Sequence, residues 1–295
     1  MPKQILLIGQ DGQLGQELRP LLEALGTVKS VGRDSLNLAD LETIPEVVNQ
    51  AAPDVIVNAA AYTAVDKAES ELELATTING KAPGILAKTA AELGAALIHV
   101  STDYVFDGTQ SHPYATTDPT APLGAYGQSK LAGEQAIQET QADFAILRTA
   151  WVYGAGGKGN FVKTMLRLGA ERPELRVVMD QVGSPTWTGD LAQAIAQLIP
   201  RLKPETCGIY HYTNSGVCSW YDFAVAIFEE AETLGFPLKI QRVLPITTAE
   251  YPTPARRPAY SVLSPEKISQ LLGEPPPHWR RGLRKMLREL LQTGS

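Results

Sequence analysis

Short apolar runs alternate with amphipathic segments along the first half of the chain, and this alternation restricts the fold more than any other feature. The run Ile5–Ile8 is apolar on both faces, which is typical of a strand buried within a parallel sheet. Strands alternating with helices predict an α/β fold whose parallel sheet is covered on both faces. We predict strands at 4–8, 27–31, 54–58, 96–101 and 144–148, and helices at 13–25, 41–50, 82–93 and 126–139.

The pattern changes after about Trp151, where proline-rich turns at 251–254 and 274–277 interrupt it. The glycine-rich segment 154–159 lacks the ending of a phosphate-binding P-loop, and is predicted to be a mobile loop over a pocket or a surface turn. We predict a dinucleotide-binding domain at 1–150 and a smaller α/β domain at 151–295 that mainly binds substrate, with some segments returning to the first domain. Its predicted elements are a strand at 177–179 and helices at 160–169, 190–199, 220–234 and 279–291.

Three glycines, Gly9, Gly12 and Gly15, lie at the first strand-to-helix turn in the spacing G-x-x-G-x-x-G. In a dinucleotide-binding turn, such glycines permit the tight turn, the approach of a pyrophosphate and close packing of the helix on the strand. The phosphates lie at the positive N-terminus of the helix. The turn therefore predicts a Rossmann-type doubly wound sheet that binds a dinucleotide. A plain strand-to-helix turn is the alternative interpretation of the glycines alone.

The end of the second predicted strand bears on which nicotinamide cofactor fits. An acid there binds the ribose hydroxyls of NADH, whereas an arginine accommodates the phosphate of NADPH. Gly32 stands where the acid is expected and Arg33 follows it, so we expect NADPH. Asp34 keeps NADH open, and Arg33 could instead be a solvated loop cation.

Tyr126 and Lys130 are four residues apart, which places them on one face of a predicted helix. A phenol titrates near pH ~10, and a nearby ammonium favours the phenolate and lowers that pKa. The Thr102 hydroxyl can bind the same oxygen. The three groups together suit proton transfer to or from a substrate oxygen, and with a dinucleotide turn they predict hydride chemistry on a carbonyl.

Small residues follow the third predicted strand, where the sequence reads Asn58-Ala59-Ala60-Ala61. At the carboxyl edge of a parallel sheet they leave room for a flat ligand. Tight helix packing explains the alanines equally well.

Charge and composition exclude several classes of partner. The net charge of −6 argues against a nucleic-acid partner, which needs a basic face. Cys207 and Cys218 form neither a disulfide framework nor a zinc motif. No stretch approaches the ~18 apolar residues that span a bilayer, and the first apolar run is too short for a signal peptide. We therefore expect a cytoplasmic protein without a membrane partner.

Five segments carry a family resemblance that extends along nearly the whole chain. They are Val55–Glu69, Ser101–Gly108, Tyr126–Glu134, Arg148–Tyr153 and Tyr251–Pro258. In these segments the chain resembles the extended short-chain dehydrogenase/reductases and, more closely, is similar to the dTDP-4-dehydrorhamnose reductases. The run Ala-Tyr-Thr-Ala-Val-Asp-Lys-Ala-Glu at 61–69 is specific to this group, whereas Tyr-x-x-x-Lys indicates only the wider superfamily.

The resemblance implies an NAD(P)H-dependent oxidoreductase that reduces the C4 ketone of dTDP-4-dehydro-6-deoxy-L-mannose to dTDP-L-rhamnose, in nucleotide-sugar and polysaccharide biosynthesis. It implies a catalytic triad of Thr102, Tyr126 and Lys130, in which the lysine also binds the nicotinamide ribose. The implied cofactor contacts are Gly12, Gln13, Leu14, Ala61, Tyr62 and Thr63, and the implied sugar contacts are Thr102, Asp103 and Trp151. To these we add Gly9, Gly15, Arg33, Ala59 and Ala60 as cofactor residues from the patterns above.

Two further features follow from arginines and acids. Arg256-Arg257-Pro258 could bind the diphosphate of a nucleotide sugar, because arginine forks suit phosphate oxygens, or it could be a solvated basic turn. We assign Arg257 to the substrate.

Some members of the family are dimers held partly by magnesium, and Glu17 matches one acidic position, although the acids around Asp190 are sparser here. We therefore expect a monomer or a homodimer, with Mg²⁺ as a possible ligand.

Two alternative functions stay open at this stage. The first is a non-catalytic dinucleotide-binding subunit that serves a partner enzyme, against which the intact triad argues. The second is a reductase, epimerase or dehydratase acting on another nucleotide sugar. A dehydratase usually needs an extra acid/base pair, and Asp103 supplies one acid without an adjacent glutamate.

Overall fold

The protein, described here for residues 2–293 by a computed structural model, is built around a parallel sheet. The strands of the described chain are β1 Lys3–Ile8, β2 Gly26–Val31, β3 Val55–Asn58, β4 Ala96–Thr102, β5 Asp143–Thr149, β6 Val152–Tyr153, β7 Glu174–Val178, β8 Val182–Gly183, β9 Thr186–Trp187, β10 Gly208–His211, β11 Cys218–Ser219 and β12 Arg242–Ile246. Six of them form the central sheet in the order β10-β5-β4-β3-β1-β2. Its strands are all parallel, with Ile8 opposite Asn58 on one side and Val31 on the other.

Helices cover the sheet and build the second half of the molecule. They are α1 Gln13–Glu23, α2 Thr43–Ala51, α3 Val65–Ala68, α4 Leu72–Thr76, α5 Ala82–Leu93, α6 Ala125–Gln138, α7 Phe161–Glu171, α8 Thr188–Leu198, α9 Trp220–Thr233, α10 Glu266–Leu272 and α11 Trp279–Thr293. Within the described chain, no helix is long and apolar enough to cross a membrane.

The central sheet is buried on both faces, as its continuous apolar strands predict. Leu7 and Val57 pack on one face with Leu18 of α1 and Ile195 of α8. The opposite face packs against α2, α5 and α6, and its buried residues include Leu6, Ile44, Ile56, Leu86 and Ile137. The sheet is therefore doubly wound, and its order reverses between β1 and β3, where open α/β sheets bind ligands.

A second apolar cluster lies beyond the sheet. It joins α7, α9 and α11 to the parallel pair β7 and β12, around the fully buried side chains of Val162, Phe223 and Leu283. Tyr153 of β6, the strand that follows β5, belongs to this cluster. Its hydroxyl donates to the carbonyl of Trp279, 3.2 Å away. Tyr153 therefore connects the cluster to the carboxyl edge of the sheet.

The predicted α/β fold with a Rossmann-type sheet is confirmed, and the predicted elements of the first half agree with the structure within two residues at each end. The sequence pattern misses β10, the sixth strand of the sheet, because this strand is short and ends in a polar residue. That residue, His211, is buried because Arg148 and the Tyr114 carbonyl lie against its ring nitrogens. The division of the chain into domains at residue 150 stays a prediction.

Candidate active site

The glycine turn between β1 and α1 has the close approaches that its spacing predicts. Gly9 has a φ of +91°, and a Cβ there would lie 2.8 Å from the backbone nitrogen of Ala60. A Cβ on Gly15 would lie 2.1 Å from the Gly9 carbonyl oxygen, so only glycine lets the helix pack this closely. The missing side chains at these two positions let α1 and the segment after β3 pack directly against the turn.

Gly12 stands at the N-terminus of α1, where no side chain caps the helix. Leu14 behind it is buried in the core. A Cβ on Gly12 would meet only the Gly9 carbonyl oxygen, at 3.4 Å, so the space next to this residue is open. Uncapped N–H groups beside open space are what an anionic phosphate requires.

The segment 154–160 lies over the start of α1. Asn160 donates to the side-chain oxygen of Gln13 at 3.1 Å and to the Gly154 carbonyl at 2.8 Å, while Gln13 donates to the Val152 carbonyl at 3.2 Å. Lys163 donates to the carbonyls of the same segment. These bonds place the loop beside the glycine turn; its predicted mobility stays a prediction.

An acid does reach the end of β2, but it comes from the glycine turn. A Cβ on Gly32 would lie 1.9 Å from Oδ2 of Asp11, so the Asp11 carboxylate occupies the space that a side chain at position 32 would fill. Arg33 beside it is exposed and forms no ion pair within 4.0 Å among residues 2–293. Asp11 could not be predicted from Gly32 and Arg33, because about twenty residues separate the two segments in the chain.

The alanine segment after β3 forms the opposite wall of the turn. Ala59 donates its N–H to the Ile8 carbonyl at 3.0 Å, and Ala60 donates to the Asn58 side chain at 3.1 Å. The neighbouring Ala61 is half-buried. This segment therefore runs along the edge of β1, where the sheet order reverses.

Tyr62 and Thr63 continue that wall. Asn79 holds the Tyr62 backbone from both sides, accepting from its N–H at 2.8 Å and donating to its carbonyl at 3.0 Å. The Tyr62 hydroxyl donates to Glu71 at 2.6 Å, whereas Thr63 is exposed. Asn79 is a positioning residue that the sequence analysis missed, because it lies in a π-helical turn that no periodic pattern marks.

Tyr126 and Thr102 come together where α6 begins and β4 ends. The pKa of Tyr126 is raised to about 12, chiefly by burial, while the Thr102 hydroxyl lowers it and the Asp103 carboxylate raises it further. The sequence-based expectation of a lowered pKa differs from the structure, in which burial is the largest cause of the shift and Lys130 is not among its causes. Tyr104 packs edge-on against the Tyr126 ring at 5.4 Å.

Lys130 is turned toward the sheet. Its Nζ donates to the Val100 carbonyl at 2.6 Å and lies 3.2 Å from Nε2 of His99, and its side chain is only 1% exposed. Burial lowers the pKa of Lys130 to about 8, against the opposing effect of Glu134. His99 is a second residue that the sequence analysis missed, since nothing in its local pattern marks a contact with α6.

Asp103 follows Thr102 and is 2% exposed. Its Oδ1 accepts from the Thr102 hydroxyl at 3.1 Å, and its Oδ2 has no hydrogen-bond partner among the described residues. Burial raises the pKa of Asp103 to about 6, although the nearby Ser261 and Thr102 hydroxyls lower it. A buried carboxyl with a free oxygen beside Tyr126 can receive a hydroxyl of a bound ligand.

Trp151 has the left-handed φ of +48° and packs against an aromatic ring and a glycine. Its ring stacks on Trp220 with centroids 3.5 Å apart and planes at 7°. A Cβ on Gly183 would lie 2.7 Å from Cε2 of the Trp151 ring. Trp220 therefore supports one face of the Trp151 ring.

Arg257 is half-buried and bound within the protein. Its guanidinium pairs with Asp66 through two bonds, at 2.9 and 3.1 Å, and donates to the Thr253 hydroxyl and the Ala255 carbonyl. These contacts join the 251–258 turn to α3. In this structure the N–H groups of the guanidinium already bind Asp66 and the turn that carries Arg257. The assignment of Arg257 to a substrate diphosphate therefore stays a prediction.

Glu17 on α1 is half-buried, and burial raises the pKa of its carboxyl. Residues 2–293 contain no group of three or more His, Cys, Asp or Glu side chains placed to hold a metal ion. The structure therefore gives Mg²⁺ no support at Glu17.

The doubly wound sheet, the glycine turn and the Tyr126–Lys130 pair define the class: a Rossmann-type oxidoreductase of the short-chain dehydrogenase/reductase kind that uses a nicotinamide dinucleotide. The family model described as the RmlD substrate binding domain matches residues 3–292. The chain therefore belongs to this family, whose relatives include enzymes named dTDP-4-dehydrorhamnose reductase.

Similar proteins match over nearly their full length. The dTDP-4-dehydrorhamnose reductase of Burkholderia thailandensis is 47% identical over 98% of this chain and 99% of its own. A crystal structure of the enzyme of that name from Clostridium acetobutylicum superposes with a TM-score of 0.90 at 40% identity, covering 98% of this chain and 99% of that one. The Bacillus anthracis enzyme in complex with NADP also has a TM-score of 0.90, at 38% identity, covering 98% and 100%.

Proposed function

We propose that this protein reduces the C4 ketone of dTDP-4-dehydro-6-deoxy-L-mannose to form dTDP-L-rhamnose, with a reduced nicotinamide dinucleotide as hydride donor. One observation carries the proposal: Thr102 and Tyr126 meet at the carboxyl end of β4, on the same edge of the parallel sheet as a glycine turn that is open to phosphates. The full-length similarity to enzymes named for this reaction supports it.

The residues present fit a dinucleotide. Gly12 leaves the helix N-terminus open, and Gly9 and Gly15 hold the turn in a shape that no other residue permits. Gln13 and Leu14 follow on the same turn, while Ala59 to Thr63 form the wall above β3. When bound there, a reduced nicotinamide supplies a hydride for C4 of the sugar.

Tyr126 is the proton donor in this proposal. A pKa of about 12 keeps its phenol protonated at neutral pH, which is the form that a general acid needs in the reducing direction. The Thr102 hydroxyl orients the C4 oxygen by turning its proton from Asp103 to that oxygen, while Lys130 binds the nicotinamide ribose. These roles divide orientation, proton transfer and cofactor binding among three side chains.

The sugar occupies the space bounded by Asp103 and Trp151. The free Oδ2 of Asp103 accepts a sugar hydroxyl, and the Trp151 ring, held by Trp220, supplies a flat apolar wall. Arg257 joins the binding of the diphosphate if its turn releases one donor. Planar rings commonly bind the apolar faces of flat ligands, and a few polar groups set their orientation.

We further propose that NADPH is preferred. Arg33 is exposed and unpaired among the described residues, so its guanidinium can bind a 2′-phosphate. Asp11 stands beside it and limits the preference by repelling the same phosphate, unless its side chain turns away. The NADP complex of the Bacillus anthracis enzyme is consistent with this choice.

Oxidation of NADPH and NADH with a panel of keto-deoxy nucleotide sugars tests the proposal. We expect turnover with dTDP-4-dehydro-6-deoxy-L-mannose and formation of dTDP-L-rhamnose, and little turnover with nucleotide sugars that lack a C4 ketone. Dinucleotide binding without turnover of any member of the panel would instead support a non-catalytic dinucleotide-binding subunit.

A further inference from the structure

His99 lies beneath Lys130 in the interior of the sheet and has no exposed surface. Its Nε2 is 3.2 Å from Nζ of Lys130, and its Nδ1 is 3.1 Å from the side-chain nitrogen of Asn58 on the neighbouring strand. The imidazole therefore connects β3 to the helix that carries Tyr126. No role in the proposed reaction described above uses this ring.

The orientation of the Asn58 amide is set by its own backbone. Oδ1 of Asn58 accepts from the N–H of Ala60 at 3.1 Å, so the amide nitrogen must face His99. An amide nitrogen only donates, so Nδ1 of His99 must accept. In a neutral imidazole with an accepting Nδ1, the proton is on Nε2.

The ring is neutral because charging it here is unfavourable. Complete burial is the largest cause that lowers the pKa of His99 well below its usual value. The Nε2–H group thus points at Nζ of Lys130, which already donates to the Val100 carbonyl. An ammonium has donors only, whereas a neutral amine has a lone pair that accepts from Nε2–H.

We propose that Asn58 and His99 are positioning residues for Lys130: the neutral ring, with its proton on Nε2, favours the amine form of Nζ and holds it against β4. The inference deepens the proposed function, on which the importance of Lys130 rests. It gives the lysine two forms: an amine that accepts from Nε2–H of His99, and an ammonium that this N–H group disfavours.

The other charged and titratable groups around Lys130 permit this state. Glu134, one turn further along α6, favours the ammonium, but its carboxylate already receives bonds from Arg148 on β5 and from Ser101 on β4. Tyr126, one turn earlier, is protonated and uncharged at neutral pH. Burial lowers the pKa of Lys130 to about 8, so the ammonium still predominates at pH 7 and the amine form predominates above about pH 8.

Nuclear magnetic resonance on the full-length, dinucleotide-free protein tests the proposal without any turnover. The ring nitrogens of ¹⁵N-labelled His99 report the tautomer, and ¹³Cε of Lys130 reports its titration; His99→Phe and Lys130→Met assign the signals. We expect a protonated Nε2, an accepting Nδ1, and a Lys130 midpoint about two pH units below that of exposed lysines. A protonated Nδ1, or a Lys130 that titrates with the exposed lysines, would overturn the proposal.

Asn58→Asp gives a matched second test, because aspartate keeps the acceptor for Ala60 but presents an oxygen to His99. That oxygen accepts from Nδ1–H, so Nε2 becomes an acceptor and favours the ammonium of Lys130. We expect the Lys130 midpoint to rise by about one pH unit or more, and the rise to shrink greatly in the His99→Phe background. An equal rise in both backgrounds would show that the new charge acts directly, and no rise would show that the ring does not govern Lys130.

Measurement of the wild-type tautomer needs no substitution, so the proposal remains testable if a variant fails to fold. The outcome also separates this inference from the proposed reaction. Failure to reduce any keto sugar leaves the titration of Lys130 measurable, and a Lys130 that titrates with the exposed lysines leaves the reductase activity standing.

Discussion

Arg148 and Glu134 form an ion pair, with Nη2 and Oε2 2.7 Å apart, and their side chains are only 3% and 0% exposed. Nε of Arg148 also donates to both carboxylate oxygens, at 3.0 and 3.1 Å. Glu134 lies one turn beyond Lys130 on α6, and Arg148 lies on β5. The pair therefore ties the helix that carries Tyr126 and Lys130 to the central sheet.

Arg148→Met should destabilise the fold, because it leaves the Glu134 carboxylate buried without its partner. Breaking a buried pair from one side typically costs about 3–5 kcal/mol. Chemical unfolding followed by circular dichroism measures the loss. The double variant Glu134→Leu/Arg148→Met removes both charges and should recover much of it; a double variant as unstable as the sum of the two single variants would contradict this account.

Tyr126→Phe should abolish most of the turnover while cofactor binding is retained, because only the proton donor is removed. The expected loss in kcat is on the order of 10²–10⁴-fold, the usual contribution of general acid catalysis. Steady-state kinetics and a fluorescence titration of NADPH measure the two quantities. Wild-type turnover in this variant would assign proton donation to another group.

Asp103→Asn should stabilise the protein at neutral pH. Burial raises the pKa of Asp103 from 3.8 to about 6, so folding opposes its ionisation. This cost is absent below about pH 4, develops as the pH rises to about 6 and is then complete, at roughly 3 kcal/mol for a shift of about two units. Thermal melts of both proteins across this range measure it, and a stability difference that does not change with pH would argue against the raised pKa.

The cofactor preference should depend on Arg33 and Asp11 in opposite directions. Arg33→Ala should raise KM for NADPH by about tenfold and change NADH little, because only NADPH carries the 2′-phosphate. Asp11→Asn should favour NADPH by removing a negative charge near that phosphate. Values of kcat/KM for both cofactors decide the matter; equal losses for the two cofactors, or a wild type that prefers NADH, would refute the role of Arg33.

Trp220→Leu should weaken sugar binding indirectly, because Trp220 supports one face of the Trp151 ring and does not itself contact the sugar in this proposal. We expect KM for the keto sugar to rise about tenfold, which corresponds to ~1.4 kcal/mol, within the range of an aromatic pair. The affinity for NADPH serves as the internal control and should not change. If both affinities fall together, the substitution has disturbed the fold and not the position of Trp151.

Local features of the chain allowed much of the fold and part of the site to be predicted. The strands and helices around the glycine turn follow from apolar periodicity, which depends only on neighbouring residues. Tyr126 and Lys130 could be paired from their spacing, because one helical turn brings them to the same face. The short strand β10 escaped prediction, since its burial depends on a histidine that packs against Arg148.

The sequence by itself determined the doubly wound sheet and the glycine turn, and it predicted which side chains would move a proton. Only the tertiary structure decided their surroundings. It brought Asp11 to the end of β2, turned Lys130 toward His99 and bound Arg257 to Asp66. It also raised the pKa of Tyr126, where sequence reasoning expected the opposite. The physical reason is that burial and charge act through space, between residues whose separation along the chain carries no information about their distance.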